Sequence, residues 1–561
     1  MTRPAVVQSD QVVTRPGVVR PAQVVTRPGV VRPDQVGYAQ LSTADPTRWR
    51  ATGTAWAGLL DPTRRRATEL ADDAAALRSQ WSGLAATAAE KQVSDLRVEL
   101  LALAPVAIEI DQVLAEFAAR LTAARARLAA AVTLAASVGV LIDRWGRTSP
   151  DPSRVPAHRA VQTVAPVTTA LRDALDLATA ADREAADRLD QLTADAESGW
   201  LSRPPADRPA PHSDPAQVNR WWSGLSPAQR RWLVGHEPEL IGGLDGIPAA
   251  ARDQANRLLL EVRRAALLQR WEELLARMPR GPAEMVGLRS VEAALSGLDA
   301  LTSRLASPDA PRAYLLGLDV GGEGRTVVAL GNPDRAASIL THVPGTTSGL
   351  HDATDDLGRA ARVLSRCADL APGQETSAVL WLDYDAPDFL HEAAWDRQAH
   401  AAGDALHRFQ EGLRATHDGP AARQTVLGHS YGSLVVGGAA RDHGLAADAL
   451  VFVGSPGVGV QHAADLGVPA GQVWASRAPD DVIRLTRSPG ELARHAVLSL
   501  SPAAGIVGLL TGDDDKLWFG RDPVEASFGG RSFPSGRYGH SGYWHPDNPA
   551  LDGMARIVLG R

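Results

Sequence analysis

Residues 428–432 read Gly-His-Ser-Tyr-Gly, and a serine between two glycines has the form of a nucleophile for acyl transfer. In a chain with 51 glycines, roughly a quarter of a G-x-S-x-G match arises by chance, so context decides. A serine hydroxyl attacks a carbonyl only beside a base, with a carboxylate to orient that base and two N–H donors for the oxyanion. Tyr538-Gly539-His540-Ser541-Gly542-Tyr543-Trp544-His545 offers two bases. Glycines around His540 let it reach into a cleft, whereas His545-Pro546 reads as a helix entry. His540 is therefore the expected base. The expected acid is Asp480 in Pro479-Asp480-Asp481-Val482, with Asp481 the alternative, since at least one of the pair must be a solvated loop residue.

The elements that would position these groups are legible as short apolar runs. Thr425–Leu427 enters the pentapeptide as a strand and a helix leaves it near Leu434, with His443-Gly444 as its stop. That is the strand–turn–helix setting an elbow serine needs, with small residues at 428 and 432 allowing close backbone approach. Runs at Tyr314–Leu318, Thr326–Leu330, Ser338–Val343, Ala378–Leu382, Ala449–Val453 and Val473–Ala475 read as further strands. Helix-like Asp355–Leu370, His400–Thr416 and Leu434–His443 alternate with them, and Leu551–Leu559 closes the chain. An antiparallel start followed by βαβ alternation is the order of an α/β hydrolase, a mostly parallel sheet flanked by helices. That fold predicts oxyanion donors at Tyr431, after the nucleophile, and at Thr346 in the loop Pro344–Ser348, with Thr347 next. His429 should line the pocket. Asp383 and Asp385 fall at a strand end, as substrate contacts or solvated acids, and Asp513–Asp515 reads as a solvated turn.

Upstream the pattern is different. Residues 1–40 carry a repeat of period twelve, beginning at Thr2, Thr14 and Thr26, whose prolines and sparse apolar surface predict a disordered tail. Residues 41–145 read as a long helical hairpin broken at Trp81-Ser82-Gly83, with Trp49 and Trp56 on one face. Residues 146–309 alternate proline-rich linkers with helices and read as a helical cap region over the mouth of the sheet. The adjacent Trp221 and Trp222 there are expected to pack. The catalytic domain is expected over 310–561.

Composition narrows the classes. Lys and Arg total 58 against 65 Asp and Glu, for a net charge of −7, so no basic face for nucleic acid is implied. Cys367 is the only cysteine, which excludes an internal disulfide and any CxxC site. No His pair has metal spacing and no glycine loop fits a phosphate cradle, so no cofactor or metal is implied. The longest uninterrupted apolar run, Leu128 to Asp143, is too short to span a bilayer, and no transmembrane segment is expected. A cytoplasmic location is expected, with a signal-less export route as the alternative.

The ordered motifs HVPGTTS, WLDYDAP, VLGHSYGS, FVGSPGVGV, APDDVI and GHSGYW resemble an actinobacterial α/β-hydrolase family of unknown function. That family carries a helical N-terminal half, and WWSGLSPAQ and IGGLDGIPAAARDQANR upstream match it as well. The resemblance spans about residue 218 to the C-terminus and implies the fold and the set Ser430, Asp480 and His540. It implies no particular substrate. APDDV departs from the Gly-Asp-Pro-Val pattern commoner in the family, so Asp481 stays open as the acid. The hairpin resembles the WXG superfamily of type VII secretion substrates, which implies a helical protein partner. The chemistry expected is cleavage of an acyl or lipid ester by a Ser-Asp-His triad, the alternatives being an exported lipase-like effector or an idle binding scaffold.

Overall fold

The computed structural model describes residues 35–561 except 82, 199–204, 206, 278–280, 308–310, 347, 387–396 and 486–515. The repeat at 2–34, Thr347 and Asp513–Asp515 thus lie outside the described residues.

Helices α1 (Tyr38–Thr43), α2 (Pro46–Ala57), α3 (Leu60–Gln80) and α4 (Leu84–Val138) open the fold. Asp45 caps α2, taking the Thr47 N–H with Pro46 at the first helical position. The break between α3 and α4 falls at the expected Trp81–Gly83. A short antiparallel ladder, β1 (Val140–Ile142) with β2 (Thr148–Pro150), then leads to α5 (Ala160–Ser198). Packing departs from a free hairpin, because α4 is clasped by α2, α3 and α5 together. Phe117, Leu121, Ala124, Leu128, Ala131 and Ala135 of α4 meet Val167, Leu171, Ala174 and Ala178 of α5 in one core.

Next come α6 (Pro215–Ser223), α7 (Pro227–His236), α8 (Pro238–Gly243), α9 (Ala249–Ala276) and α10 (Pro282–Ala306). A capping box formed by Ser226 and Gln229 starts α7. Trp222 packs with Val218, Leu233 and Ile241, in accord with its expected packing role.

The C-terminal layer is one eight-stranded sheet. Its strands are β3 (Ala313–Asp319), β4 (Arg325–Leu330), β5 (Ser338–Val343), β6 (Thr376–Leu382), β7 (Arg423–His429), β8 (Ala449–Val453) and β9 (Val473–Ser476). A hairpin of β10 (Lys516–Leu517) and β11 (Gly520–Arg521) precedes the edge strand β12 (Arg531–Ser532). Spatial order is β12-β9-β8-β7-β5-β6-β4-β3, antiparallel where β4 meets β3 and β6, and parallel elsewhere. Helices α11 (Ala353–Leu370), α12 (Arg397–Thr416), α13 (Gly432–Asp442) and α14 (Pro549–Leu559) complete it. The central strands β5, β7 and β8 are almost wholly buried, which explains why they read as continuous apolar runs.

The helical half is bolted to this sheet by buried charge. Arg312, just before β3, is 2% exposed at its side chain and pairs with Asp111 of α4 at 2.9 Å and Asp253 of α9 at 2.8 Å. Arg50 of α2 takes the other Asp111 oxygen at 2.6 Å. Five residues further along α4, Glu116 accepts the Tyr314 hydroxyl at 2.9 Å and the Asn332 amide at 3.0 Å. Arg120 reaches Glu375 at 3.1 Å. Leu103–Val138 is long and apolar enough to cross a bilayer by length and composition, which the longest uninterrupted run did not reveal. Its polar residues Asp111, Glu116 and Arg120 are bound to the sheet domain, so within this fold it is a strut fastened to the sheet.

The 218–260 segment also departs from expectation. Helix α9 packs on β3 and α6 on α12. β3 is the far edge of the sheet, four strands and about 19 Å from β7. Helix α9 therefore covers an edge of the sheet, while α6 lies on α12, the neighbour of the helix that follows Ser430.

Candidate active site

Strand β7 delivers its last residue, His429, directly to the turn at Ser430, and α13 starts at Gly432. Ser430 has φ 52°, a left-handed conformation shared among described non-glycine residues only with His212. The Ser430 N–H is held by the Val453 carbonyl of β8 at 3.1 Å. Both flanking glycines are sterically required. A Cβ on Gly432 would lie 2.3 Å from the Val343 oxygen, and one on Gly428 would lie 2.6 Å from Ser433 Cα. The strain at the serine is thus imposed by packing of β7, α13 and the end of β5.

His540 reaches this turn. Its Nε2 lies 3.0 Å from Ser430 Oγ, and its Nδ1 lies 2.9 Å from Asp481 Oδ1. The expected acid is therefore corrected by one residue. Asp480 is exposed and accepts the Gly539 N–H at 3.1 Å, steadying the loop that carries His540. Asp481 is 3% exposed, turned inward by its N–H bond to the Ala478 carbonyl. Burial works against its charge, but hydrogen bonds from His540, Tyr543 and the Ile483 N–H outweigh it and lower its pKa below the ordinary Asp value. Gly454, just after β8, makes room: a Cβ there would sit 3.1 Å from both Asp481 Oδ2 and His540 Cε1.

The expected oxyanion loop also comes to the serine. A Cβ on Gly345 would lie 2.7 Å from Ser430 Cβ, which brings the loop at Gly345 against Ser430. Tyr384, buried after β6, donates its hydroxyl to the Pro344 carbonyl at 2.7 Å and so fixes this loop from behind. Tyr431 follows the serine and forms the N-cap of α13. Ser430, Tyr431, Gly345 and His540 thus converge, with Thr346 the next residue of the same loop, while Asp383 and Asp385 follow β6 on the other side of β5 from β7.

His429 lies elsewhere than expected. It is 4% exposed and packs against His540 instead of lining an open pocket. Burial, reinforced by the neighbouring His540, keeps its pKa well below the usual histidine value. The neutral ring contacts the His540 carbonyl through Nε2 at 3.0 Å, which makes Nε2–H the donor. Trp544 meets the His429 ring edge-on at 5.0 Å. Gly454, Tyr384 and Tyr543 were not singled out from sequence. Only the glycine directly after a strand in FVGSPG carried a signal for its role. Among the described residues, no group of three or more His, Cys, Asp or Glu side chains could hold a metal ion.

Comparison with known proteins gives a consistent picture of the fold. Residues 319–491 match the family model described as Alpha/beta hydrolase. An uncharacterized protein of Mycobacterium tuberculosis is 29% identical, over 84% of this chain and 78% of that one. An uncharacterized protein of Mycobacterium bovis is 33% identical, over 32% of this chain and 70% of that one. Among solved structures, dienelactone hydrolase from Anabaena variabilis is similar at 14% identity and TM-score 0.24, covering 45% of this chain and 97% of that one. A hyperthermophilic esterase from Pyrobaculum calidifontis is similar at 14% identity and TM-score 0.25, covering 53% and 97%. Scores this low add nothing about chemistry. The WXG resemblance of the N-terminal hairpin finds no support in these matches.

Proposed function

Because the chain belongs to the alpha/beta hydrolase family, we propose that it is a serine hydrolase that cleaves an acyl or lipid carboxylic ester through an acyl-enzyme. The observation that carries this is the continuous contact from Ser430 Oγ to His540 Nε2, at 3.0 Å, and from His540 Nδ1 to Asp481, at 2.9 Å. Ser430 Oγ attacks the ester carbonyl while Nε2 takes its proton. Asp481 holds the Nδ1–H tautomer and stabilises the imidazolium that forms. The oxyanion is received by the backbone N–H of Tyr431, at the start of α13 where the helix dipole also favours negative charge, and by that of Thr346 in the loop after β5. Collapse of the adduct expels the alcohol, which leaves with the proton from Nε2. Water then enters, gives its proton to Nε2, and releases the acid from Ser430.

The test is hydrolysis of p-nitrophenyl esters of graded acyl length by the full chain. Turnover is expected with at least one acyl length, unaffected by a chelator, and lost by about three orders of magnitude or more in Ser430→Ala. Hydrolysis that persists in Ser430→Ala, or that a chelator abolishes, would overturn the proposal.

A further inference from the structure

Both oxygens of the Asp481 carboxylate are engaged. Oδ1 accepts from His540 Nδ1 at 2.9 Å and from the Ile483 N–H at 2.9 Å. Oδ2 accepts from the Tyr543 hydroxyl at 2.5 Å. That hydroxyl also accepts the Ala478 N–H at 3.0 Å. A phenol has a single proton, and an N–H occupies one of its lone pairs, so the proton is committed to Asp481. The Tyr543 ring is fully buried and wedged between His429, at 6.3 Å, and Trp544, at 6.2 Å. It stands in the short 3₁₀ turn Gly542–Trp544 that follows His540 directly, so base and phenol belong to one rigid loop.

We propose that Tyr543 is a positioning residue for the reaction, one that fixes the Asp481 carboxylate and tunes how tightly His540 holds its proton. This rests on the serine-hydrolase proposal above. A short donor on Oδ2 draws negative charge away from Oδ1 and therefore weakens the pull of Asp481 on the imidazolium. It also stops the carboxylate from rotating, which keeps Oδ1 in line with Nδ1. Together with the hydrogen bonds from His540 and the Ile483 N–H, the same contact helps to keep Asp481 ionised while buried. Other charged or titratable groups near this pair have separate engagements. His429 is neutral and donates to the His540 carbonyl, and Asp480 takes the Gly539 N–H. Arg477 pairs with Asp522 and Glu525. Arg359 pairs with Asp356 and lies over the Trp544 ring, against which the buried His342 also packs.

The experiment is a pH profile of ester hydrolysis for the full-length wild type, Tyr543→Phe and a site-specific Tyr543→3-fluorotyrosine. Removing the hydroxyl should lower kcat about tenfold, with KM changed less than about twofold. It should also raise the acid-side midpoint of kcat/KM by about half a pH unit. Fluorotyrosine keeps the shape and strengthens the donor, so the midpoint should move the opposite way. In an Asp481→Asn background, Tyr543→Phe should have no further effect on kcat, because its influence passes through the carboxylate. If Tyr543→Phe does not fold, the fluorotyrosine shift decides. A merely structural role would lower the melting temperature and leave the midpoint unmoved in every folded variant, and that result would overturn the proposal. Failure of the serine-hydrolase proposal shows separately, as wild-type turnover that survives Ser430→Ala.

Discussion

Asp481→Asn is expected to lower kcat by about four orders of magnitude, while Asp480→Asn changes it less than about threefold. The asymmetry follows from which atoms each side chain meets. Asp481 Oδ1 accepts from His540 Nδ1 at 2.9 Å, and that bond selects the tautomer whose Nε2 can take a proton from Ser430. An asparagine amide placed there stabilises the opposite tautomer, with a proton already on Nε2 and no base left to act. Asp480 faces solvent and receives a backbone N–H from Gly539, which an asparagine carbonyl oxygen accepts equally well. Steady-state kinetics on a p-nitrophenyl ester checks both variants in one series. A large loss in Asp480→Asn with near-normal Asp481→Asn would mean that the loop register is shifted by one residue.

Asp111→Ala is expected to destabilise the fold by about 3–5 kcal/mol, the cost of stranding a buried charge. Asp111 neutralises both Arg50 and Arg312, and all three side chains are 7% exposed or less. Without it, Arg312 keeps Asp253 and the Tyr314 ring face, and Arg50 is left with the Ser307 carbonyl. Arg66→Ala, which removes an exposed pair with Glu69, should leave the unfolding midpoint close to that of the wild type. Urea unfolding midpoints of the two variants provide the comparison. The pH dependence has a definite sign. Burial raises the Asp111 pKa, but Arg312 and Arg50 outweigh it and hold the pKa below its ordinary value. Its stabilising contribution is therefore present above the normal Asp range and is lost as pH falls through the lowered folded-state pKa. The same contacts predict that a fragment starting near residue 311 will be poorly soluble, since Arg312 and Tyr314 lose Asp111 and Glu116.

The strands and the elbow were legible because their signals are local. A buried parallel strand must be largely apolar, as in Ser338–Val343 and Ala449–Val453, whose bounds in the structure coincide with the apolar runs in the sequence. Gly428 and Gly432 are demanded by contacts within a few residues of the serine or at the end of the adjacent strand. The choice between Asp480 and Asp481 was not local. Both follow one short strand, and only the three-dimensional turn sends Asp481 inward while Asp480 stays at the surface. The role of the helical half was hidden for a similar reason. Asp111, Glu116 and Arg120 on α4 look like a solvated helix face until Arg312, Tyr314 and Glu375, roughly two hundred residues or more away, are placed against them. Tyr543 gave no signal either, since a tyrosine beside a tryptophan reads as packing and its hydroxyl partner lies in another loop.

The central claim is that Ser430 is a nucleophile activated by His540. Its most direct measurement is peptide mapping by mass spectrometry after the full chain reacts with a fluorophosphonate. A single stoichiometric phosphonyl adduct on the peptide containing Ser430 is the predicted result, absent in Ser430→Ala and strongly slowed in His540→Ala. An unmodified Ser430 in folded wild-type protein, or equal modification in Ser430→Ala at another residue, would contradict it.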